Sequence, residues 1–433
     1  MPLSHYLKAV PHALIPDRLL LFSTRKASLI QIPARSYAAL AGGAQPSPTM
    51  VDTLTRLGLW VEDLATEQAE VHAMQATINQ LNPGVRAAVI LGMACNFACR
   101  YCYEGSLKGP KAMSDRVADQ SIAFLQQRFG PGKSKLVLDF YGGEPLLYPE
   151  RIKYLARAMQ PFVRAQGGEF RFTLVTNGSL LTPATVNALL PLGLASCKIT
   201  LDGPPQSHNR SRPFKNGQES FDLILKNIRA CCELLPITLG GNFTRETAPL
   251  FPALLDILDE NGITPDRLAQ VKFDAVMSVR DPFAPPGFHD GSASTAEPWL
   301  IEATLMLRRE LLKRGYAFPK LTPASCMVEL DEAMTIDWDG ALYKCVTLIG
   351  HPDVKSGDVW QGMTSTAVYH PDHWRQHPQC RECVYLPLCF GGCRYAEYQR
   401  CGSMAGVDCQ QEYFDQALAE MLNQDIQFRT PGA

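Results

Sequence analysis

Three cysteines fall within eight residues, at Cys95, Cys99 and Cys102, with the spacing Cys-x3-Cys-x2-Cys. They follow an apolar run, residues 87–91, that is typical of a buried strand. Three thiolates on one loop can hold three irons of a cubane cluster and leave the fourth iron open. A structural zinc or a ferredoxin cluster would need a fourth cysteine nearby, and the next one is Cys197. The spacing favours an iron–sulfur site with one open iron.

The remaining cysteines divide into two groups. Cys197, Cys231 and Cys232 lie in apolar surroundings and are expected to be buried packing residues. The other eight lie between residues 326 and 409, at Cys326, Cys345, Cys380, Cys383, Cys389, Cys393, Cys401 and Cys409. In a reducing compartment such a group indicates metal or cluster ligation and not a disulfide framework.

Composition and charge exclude several functions. The 433 residues carry a net charge of -2, which gives no general attraction to nucleic acid or to an anionic membrane. No apolar run approaches the length of a membrane helix, and the N-terminus lacks a signal-peptide pattern. We therefore expect a cytoplasmic protein with neither a nucleic-acid nor a membrane partner.

Strand-like and helical runs alternate between about residues 86 and 318. This alternation predicts an α/β fold with a parallel sheet and with chemistry at the carboxyl ends of the strands. The expected strands are 87–91, 136–141, 170–175, 196–201, 237–242 and 270–277. Helices are expected between them, among them Asp115 to Phe129, a short one after Thr182 and Pro183, and Glu297 to Arg314.

Polar motifs follow three of these strands. Gly142, Gly143, Glu144 and Pro145 follow the second strand, and Thr176-Asn177-Gly178 follows the third. The fourth strand ends Thr200-Leu201-Asp202-Gly203-Pro204, before His208-Asn209-Arg210-Ser211-Arg212-Pro213. Glycines permit close approach of a backbone to a ligand, and a carboxylate can pair with an ammonium group. Asp-Gly-Pro is also a common turn, so Asp202 has a purely structural alternative.

Together with the cysteine loop, these motifs resemble those of the radical SAM superfamily, in which the open iron chelates S-adenosylmethionine (SAM). The resemblance implies a partial (β/α)6 TIM-like barrel and a [4Fe–4S] cluster on Cys95, Cys99 and Cys102. It implies an adenine contact for Tyr101 and a SAM-ammonium contact for the Gly142-Gly143-Glu144 motif. Asn177, Thr200, Asp202 and Arg212 become candidates for the rest of the cofactor site, although Asp202 could face substrate instead.

The C-terminal cysteines resemble the SPASM extension of that superfamily, Cys-x(9–15)-Gly-x4-Cys followed by Cys-x2-Cys-x5-Cys-x3-Cys and a last cysteine. The resemblance implies two auxiliary [4Fe–4S] clusters and three clusters in all. Cys380, Cys383, Cys389 and Cys409 would hold the distal one, and Cys326, Cys345 and Cys393 the proximal one. Cys401 competes with Cys409 for the last ligand position of the motif, and the longer gap between Cys393 and Cys409 fits the motif better. The fourth proximal ligand stays open, with Glu329, Asp331 and Glu332 as candidates, and zinc on Cys380 to Cys393 is the alternative.

The sequence predicts three domains, at 1–83, 84–318 and 319–433. In the first, two strands at residues 19–24 and 27–32, two short helices and a short closing strand at 59–61 are expected. This order resembles the winged-helix-like domain that recognises precursor peptides, where a leader peptide adds as a further strand. An inert N-terminal extension is the alternative.

The whole chain thus resembles radical SAM/SPASM maturases of ribosomally synthesised peptides, such as sactipeptide, ranthipeptide and geopeptide maturases. The resemblance implies reductive cleavage of SAM and use of the 5′-deoxyadenosyl radical to form a thioether or other intramolecular cross-link. Expected partners are a precursor peptide with a leader and a flavodoxin- or ferredoxin-like electron donor. Two alternatives are formylglycine formation by an anaerobic sulfatase maturase and a non-catalytic iron–sulfur or zinc scaffold that binds peptide. Sulfatase maturases typically place an acidic residue just after the cysteine equivalent to Cys345, whereas Val346 and Thr347 follow it here.

Overall fold

The computed structural model describes residues 2–277, 294–323, 325–364 and 372–429. The chain divides into two compact units. The first comprises Met1–Leu81, Pro319–Leu330 and Pro371–Ala433, and the second comprises Asn82–Phe318 and Asp331–His370. The N-terminal segment therefore shares a unit with most of the C-terminal cysteines. The three predicted sequence domains stay a prediction.

The described strands are β1 (Leu7–Pro11), β2 (Arg18–Ser23), β3 (Leu29–Pro33), β4 (Gly84–Ile90), β5 (Lys135–Tyr141), β6 (Glu169–Thr176), β7 (Leu194–Thr200), β8 (Ile237–Phe243), β9 (Gln270–Ala275), β10 (Ala333–Ile336), β11 (Ala341–Tyr343), β12 (Gly357–Asp358) and β13 (Gly362–Met363). The described helices are α1 (Ala34–Ala41), α2 (Pro48–Arg56), α3 (Leu64–Leu81), α4 (Asp115–Arg128), α5 (Pro149–Ala165), α6 (Pro183–Leu189), α7 (Pro205–Ser211), α8 (Phe221–Cys231), α9 (Phe251–Glu260), α10 (Pro298–Lys313), α11 (Pro378–Arg381), α12 (Leu386–Cys389), α13 (Arg394–Cys401) and α14 (Gln411–Phe428).

One sheet dominates the second unit. Its parallel part runs in the order β4-β5-β6-β7-β8-β9, and β10 adds to β4 in parallel before β11, β12 and β13 continue antiparallel. Alternate side chains of the parallel strands, such as Leu136, Leu138 and Phe140 on β5, are buried in the core. The fold is therefore α/β with a mostly parallel sheet, as predicted. The carboxyl ends of β4 to β9 lie at one edge, which is where the sequence motifs were expected to act.

Local sequence explains where the helices begin. The Thr182 side chain accepts a hydrogen bond from the backbone N–H of Thr185, and Pro183 is the first residue of α6. Ser114 caps α4 in the same way through the N–H of Val117. The six predicted strands of this region and its predicted helices are confirmed, with ends that shift by a few residues.

The first unit contains a three-stranded antiparallel sheet in the order β1-β2-β3. The strand predicted at 59–61 is wrong, since Trp60 makes only an isolated bridge with Leu3. β1 and the 18-residue helix α3 were not predicted. Within the described residues, none of the helices has the length and apolarity that a membrane crossing requires.

Candidate active site and metal centres

The loop that carries Cys95, Cys99 and Cys102 begins just after β4, and its backbone is fixed on two sides. The N–H of Met93 donates to the carbonyl oxygen of Lys111 at 2.9 Å. The N–H of Ala98 donates to the carbonyl oxygen of Pro213, also at 2.9 Å. The loop is thus tied to the segment that contains the predicted SAM ligand Arg212.

The three thiols converge on one positive charge. Burial raises the pKa of Cys95, and it raises the pKa of Cys102 to about 11. The Lys108 ammonium hydrogen-bonds Cys102, and the nearby Cys102, Cys95 and Cys99 outweigh its own burial and raise the pKa of Lys108 to about 12. The three thiols that act on Lys108 lie near one another. Bound iron would keep such buried thiols ionised. The donor set therefore fits the cluster that the spacing predicts.

Two glycines bring the end of β5 against this loop. A Cβ on Gly142 would lie 2.7 Å from the carbonyl oxygen of Gly92, and one on Gly143 would lie 2.2 Å from that of Ala94. The N–H of Glu144 donates to the Ala94 oxygen at 2.9 Å. The glycines were predicted to make room for a ligand, and the structure shows that they also make room for the stem of the cysteine loop.

The Glu144 carboxylate is fully buried and joins two strand ends. Its Oε1 accepts from Thr176 Oγ1 at 2.7 Å and from the N–H of Leu146 at 3.0 Å, and its Oε2 accepts from the N–H of Asn177 at 2.8 Å. Burial raises the pKa of Glu144, although these donors oppose the shift. Both oxygens thus have partners within the chain. The predicted contact with the SAM ammonium stays a prediction.

Asn177 positions the first cysteine. Its Nδ2 donates to Asn96 Oδ1 at 2.7 Å and lies 4.0 Å from Cys95 Sγ. Its Oδ1 accepts from the Ser179 hydroxyl at 2.6 Å, and Asn96 Nδ2 donates to the same hydroxyl at 2.9 Å. Sequence reasoning missed Asn96 and Ser179, although each lies within two residues of a predicted site residue.

A buried polar cluster lies at the ends of β7 and β8. The Tyr101 hydroxyl donates to Asp202 Oδ2 at 2.5 Å and accepts from Arg212 at 2.6 Å. Asn242, which sequence reasoning missed, donates its backbone N–H to Asp202 Oδ1 at 2.7 Å and its Nδ2 to Tyr101 at 3.0 Å. Burial raises the pKa of Asp202, while Arg212 opposes the shift. Thr200 is the last residue of β7 and pairs with Gly240 of β8.

Arg212 retains one donor for a ligand. The residue is 8% exposed, and among the described residues its Nε has no hydrogen-bond partner. An unpaired buried donor is destabilising unless something accepts from it. A cofactor carboxylate is a suitable acceptor, so Arg212 fits the role that the resemblance implies.

His208, on α7, supports this cluster. Its Nδ1 accepts from the N–H of Asp202 at 3.1 Å, and its Nε2 lies 3.0 Å from the Ser220 hydroxyl. That hydroxyl donates to the carbonyl oxygen of Arg212 at 2.7 Å. Burial holds the pKa of His208 well below its usual range. The histidine is therefore a neutral structural element of the site.

A second group of buried acids was not predicted. Glu104 follows the last cysteine of the loop, and burial raises its pKa to about 7. Among the described residues its Oε1 has no hydrogen-bond partner. Asp337, which follows β10, has its pKa raised by burial to about 7, and its charge acts on Glu104. Tyr103 and Tyr141 share a hydrogen bond of 2.8 Å beside them.

Four cysteines of the first unit line one cavity. They are the four that the SPASM resemblance assigns to the distal cluster, Cys380, Cys383, Cys389 and Cys409. Burial raises the pKa of Cys380 to about 11 and that of Cys389 to about 12, and each is raised further by the charge of its neighbours. Cys401 is exposed and does not line this cavity. No three His, Cys, Asp or Glu side chains are placed for a single metal ion within the described ranges.

The predicted proximal ligands divide between the units, with Cys326 and Cys393 in the first and Cys345 in the second. Two of the three candidate oxygen ligands are engaged in ion pairs. Glu329 pairs with Arg394 at 2.9 Å, and Glu332 pairs with Arg128 at 2.7 Å. The proximal cluster stays a prediction.

The cysteine loop and the strand-end motifs lie within residues 89–248, which match the model of the Radical SAM superfamily. The chain contains a radical SAM domain. The family implies one [4Fe–4S] cluster and bound SAM in this domain.

Two curated relatives extend beyond the radical SAM domain. The PqqA peptide cyclase of Ruegeria pomeroyi is 25% identical over 72% of this chain and 83% of its own length. The serine-type anaerobic sulfatase-maturating enzyme of Bacteroides thetaiotaomicron is 22% identical over 72% of this chain and 82% of its own length. Among solved structures, Streptococcus suis SuiB bound to the precursor peptide SuiA shares the fold, with a TM-score of 0.52, 14% identity, and coverage of 94% of this chain and 98% of that one.

Proposed function

We propose that this radical SAM enzyme modifies a ribosomally synthesised peptide, by a thioether or another intramolecular cross-link. The observation that carries the proposal is the four-cysteine cavity in the unit that also holds the N-terminal sheet. A peptide cyclase among the relatives and a precursor-peptide complex among the structural neighbours support the substrate class.

When bound, the cluster and SAM supply an electron for SAM cleavage and a 5′-deoxyadenosyl radical that takes a hydrogen atom from substrate. The chain's own residues hold and shield that chemistry. Cys95, Cys99 and Cys102 would ligate the iron, and Arg212 would direct its unpaired Nε–H to the cofactor carboxylate. Asp202 and Arg212 are buried, so this part of the site would limit the access of water to a bound cofactor.

Two auxiliary clusters complete the proposal. Cys380, Cys383, Cys389 and Cys409 would hold the distal one, and Cys326, Cys345 and Cys393 the proximal one. Their role would be to accept an electron from the product radical or to ligate a substrate thiolate. A flavodoxin- or ferredoxin-like protein would supply the first electron.

The N-terminal sheet is proposed to capture the peptide. β3 is an end strand of the β1-β2-β3 sheet, and its Gln31 is exposed. An extended peptide can add to such an edge through main-chain hydrogen bonds. Deleting 1–83 should weaken capture without stopping SAM cleavage.

The test is anaerobic incubation with SAM, dithionite and each short peptide that a search of the neighbouring genes identifies as a candidate precursor. We expect 5′-deoxyadenosine together with a peptide that has lost two hydrogen atoms per cross-link and does not react with a hydrazide probe. A hydrazide-reactive aldehyde would instead support formylglycine formation, the second candidate, which the sulfatase-maturating relative favours. No 5′-deoxyadenosine from a fully reconstituted protein would support the non-catalytic scaffold.

A further inference from the structure

The loop of residues 380–384 begins in the last two residues of α11 and carries Cys380 and Cys383. N-terminal side chains bind it. Gln68 Nε2 and His72 Nε2 both donate to the carbonyl oxygen of Arg381, at 3.1 and 3.2 Å. The Thr24 hydroxyl donates to the carbonyl oxygen of Val384 at 2.6 Å. Each of these carbonyls lies within one residue of a cysteine that lines the four-cysteine cavity.

Glu382, between the two cysteines, is held in the same way. His5 Nε2 donates to its carbonyl oxygen at 3.1 Å, and Gln68 Nε2 donates to its Oε1 at 3.1 Å. Four N-terminal side chains therefore bind three backbone carbonyls of a five-residue loop. In surface loops, such carbonyl oxygens usually accept hydrogen bonds from water.

Apolar packing joins the same two parts of the unit. Cys380 is buried in one cluster with Tyr6 and Val71, which are fully buried, and Cys383 packs against this cluster. Cys383 and Cys389 also pack against a second cluster, in which N-terminal and C-terminal side chains mix: Val10, Leu20, Phe22, Tyr385, Leu388, Phe414, Leu418 and Leu422. The cysteines thus belong to the core on which β1, β2 and α3 rest.

The loop has little regular structure to hold it by itself. The helices on either side of Cys383, α11 and α12, have four residues each. Metal–thiolate bonds would therefore be the strongest cross-links in this part of the chain. Loss of the metal centre should make the loop backbone more mobile and so weaken the hydrogen bonds between its carbonyl oxygens and the N-terminal segment.

We propose that the four-cysteine site has a second function, as the anchor of the N-terminal segment, so that metal loading controls how well that segment is ordered. Because linkage is reciprocal, docking of the segment must equally strengthen metal binding at the site. The consequence for peptide capture rests on the proposed function, whereas the anchoring itself does not.

The test is hydrogen–deuterium exchange of the reconstituted full chain, without any peptide. In C380S/C383S, exchange in β1, β2 and α3 should rise by about tenfold or more, as expected for a segment that opens locally. The matched control is C95S/C99S, which removes two ligands in the other unit and should leave N-terminal exchange unchanged. Wild-type exchange rates in C380S/C383S would overturn the proposal.

A second variant distinguishes the proposed linkage from misfolding of C380S/C383S. Q68A/H72A keeps every cysteine and removes the hydrogen bonds to Arg381, so a chelator should extract iron from the four-cysteine site severalfold faster. Q80A changes an exposed residue of the same helix and should not alter that rate. Unchanged extraction from Q68A/H72A would contradict the linkage. A wild type that orders its N-terminal segment on loading but binds no peptide would refute the proposed function alone.

Discussion

The two cysteine regions are built in opposite ways. Cys95, Cys99 and Cys102 follow a strand of a parallel sheet. Their loop is fixed by Gly143 and Asn177 at neighbouring strand ends and by Pro213 after α7. In the distal site, Cys380 and Cys389 lie in four-residue helices and Cys383 lies between these helices. These three cysteines pack in core clusters shared with the N-terminal segment. The sheet positions the first site. The position of the second depends on the metal that its cysteines would bind and on the N-terminal segment.

The largest effect should follow removal of a thiolate from the first region. Cys99→Ala should reduce SAM cleavage to background, because two thiolates cannot hold a cluster with one open iron. Release of 5′-deoxyadenosine measures this, while N-terminal hydrogen exchange should remain as in the wild type. Cleavage at the wild-type rate would refute the assignment of the loop.

The second region can be tested with two neighbouring cysteines. Cys409→Ser should lower iron by about four atoms per chain, the content of one cubane. Cys401→Ser should leave the iron content unchanged, because Cys409 lines the cavity whereas Cys401 does not. Iron and sulfide analysis compares the two. The reverse result would make Cys401 the ligand.

The sheet-positioned site should be sensitive to a single methyl group. Gly143→Ala places a Cβ 2.2 Å from the Ala94 oxygen, so the cysteine loop must shift. We expect severalfold less iron in the first region and a loss of about 1–3 kcal/mol in the free energy of unfolding. Gly109→Ala is the control, because its Cβ would meet nothing within 4 Å. Equal behaviour of the two variants would show that close packing does not position the loop.

The remaining expected effect is a change in the pH dependence of stability within the second unit. Burial raises the pKa of Asp337 from 3.8 to about 7, so the folded protein binds its proton more tightly than the unfolded chain does. Stability from this group is therefore present below pH 3.8 and is lost as the pH rises to about 7. Asp337→Asn should stabilise the protein relative to the wild type increasingly over that range, by up to about 4 kcal/mol. Unfolding midpoints at several pH values measure the difference, and a constant difference would contradict the shift.

Sequence could predict the sheet and its motifs because strand–helix alternation and local turn residues determine both. It could not predict Asn242 as a partner of Asp202, because that contact depends on the register of β7 and β8. α3 was missed because most of its 18 residues are polar or small, with Val71 as its one fully buried apolar side chain. The SPASM resemblance grouped the four cysteines that line one cavity, but it did not predict the N-terminal side chains that bind the loop of Cys380 and Cys383.

The most direct test of the account is the iron, sulfide and zinc content per chain after anaerobic reconstitution. Three cubane clusters predict about twelve irons with matching sulfide. About four irons together with zinc would still support a SAM-cleaving cluster on Cys95, Cys99 and Cys102. That result would contradict the auxiliary clusters. Absence of iron after full reconstitution would contradict the account as a whole.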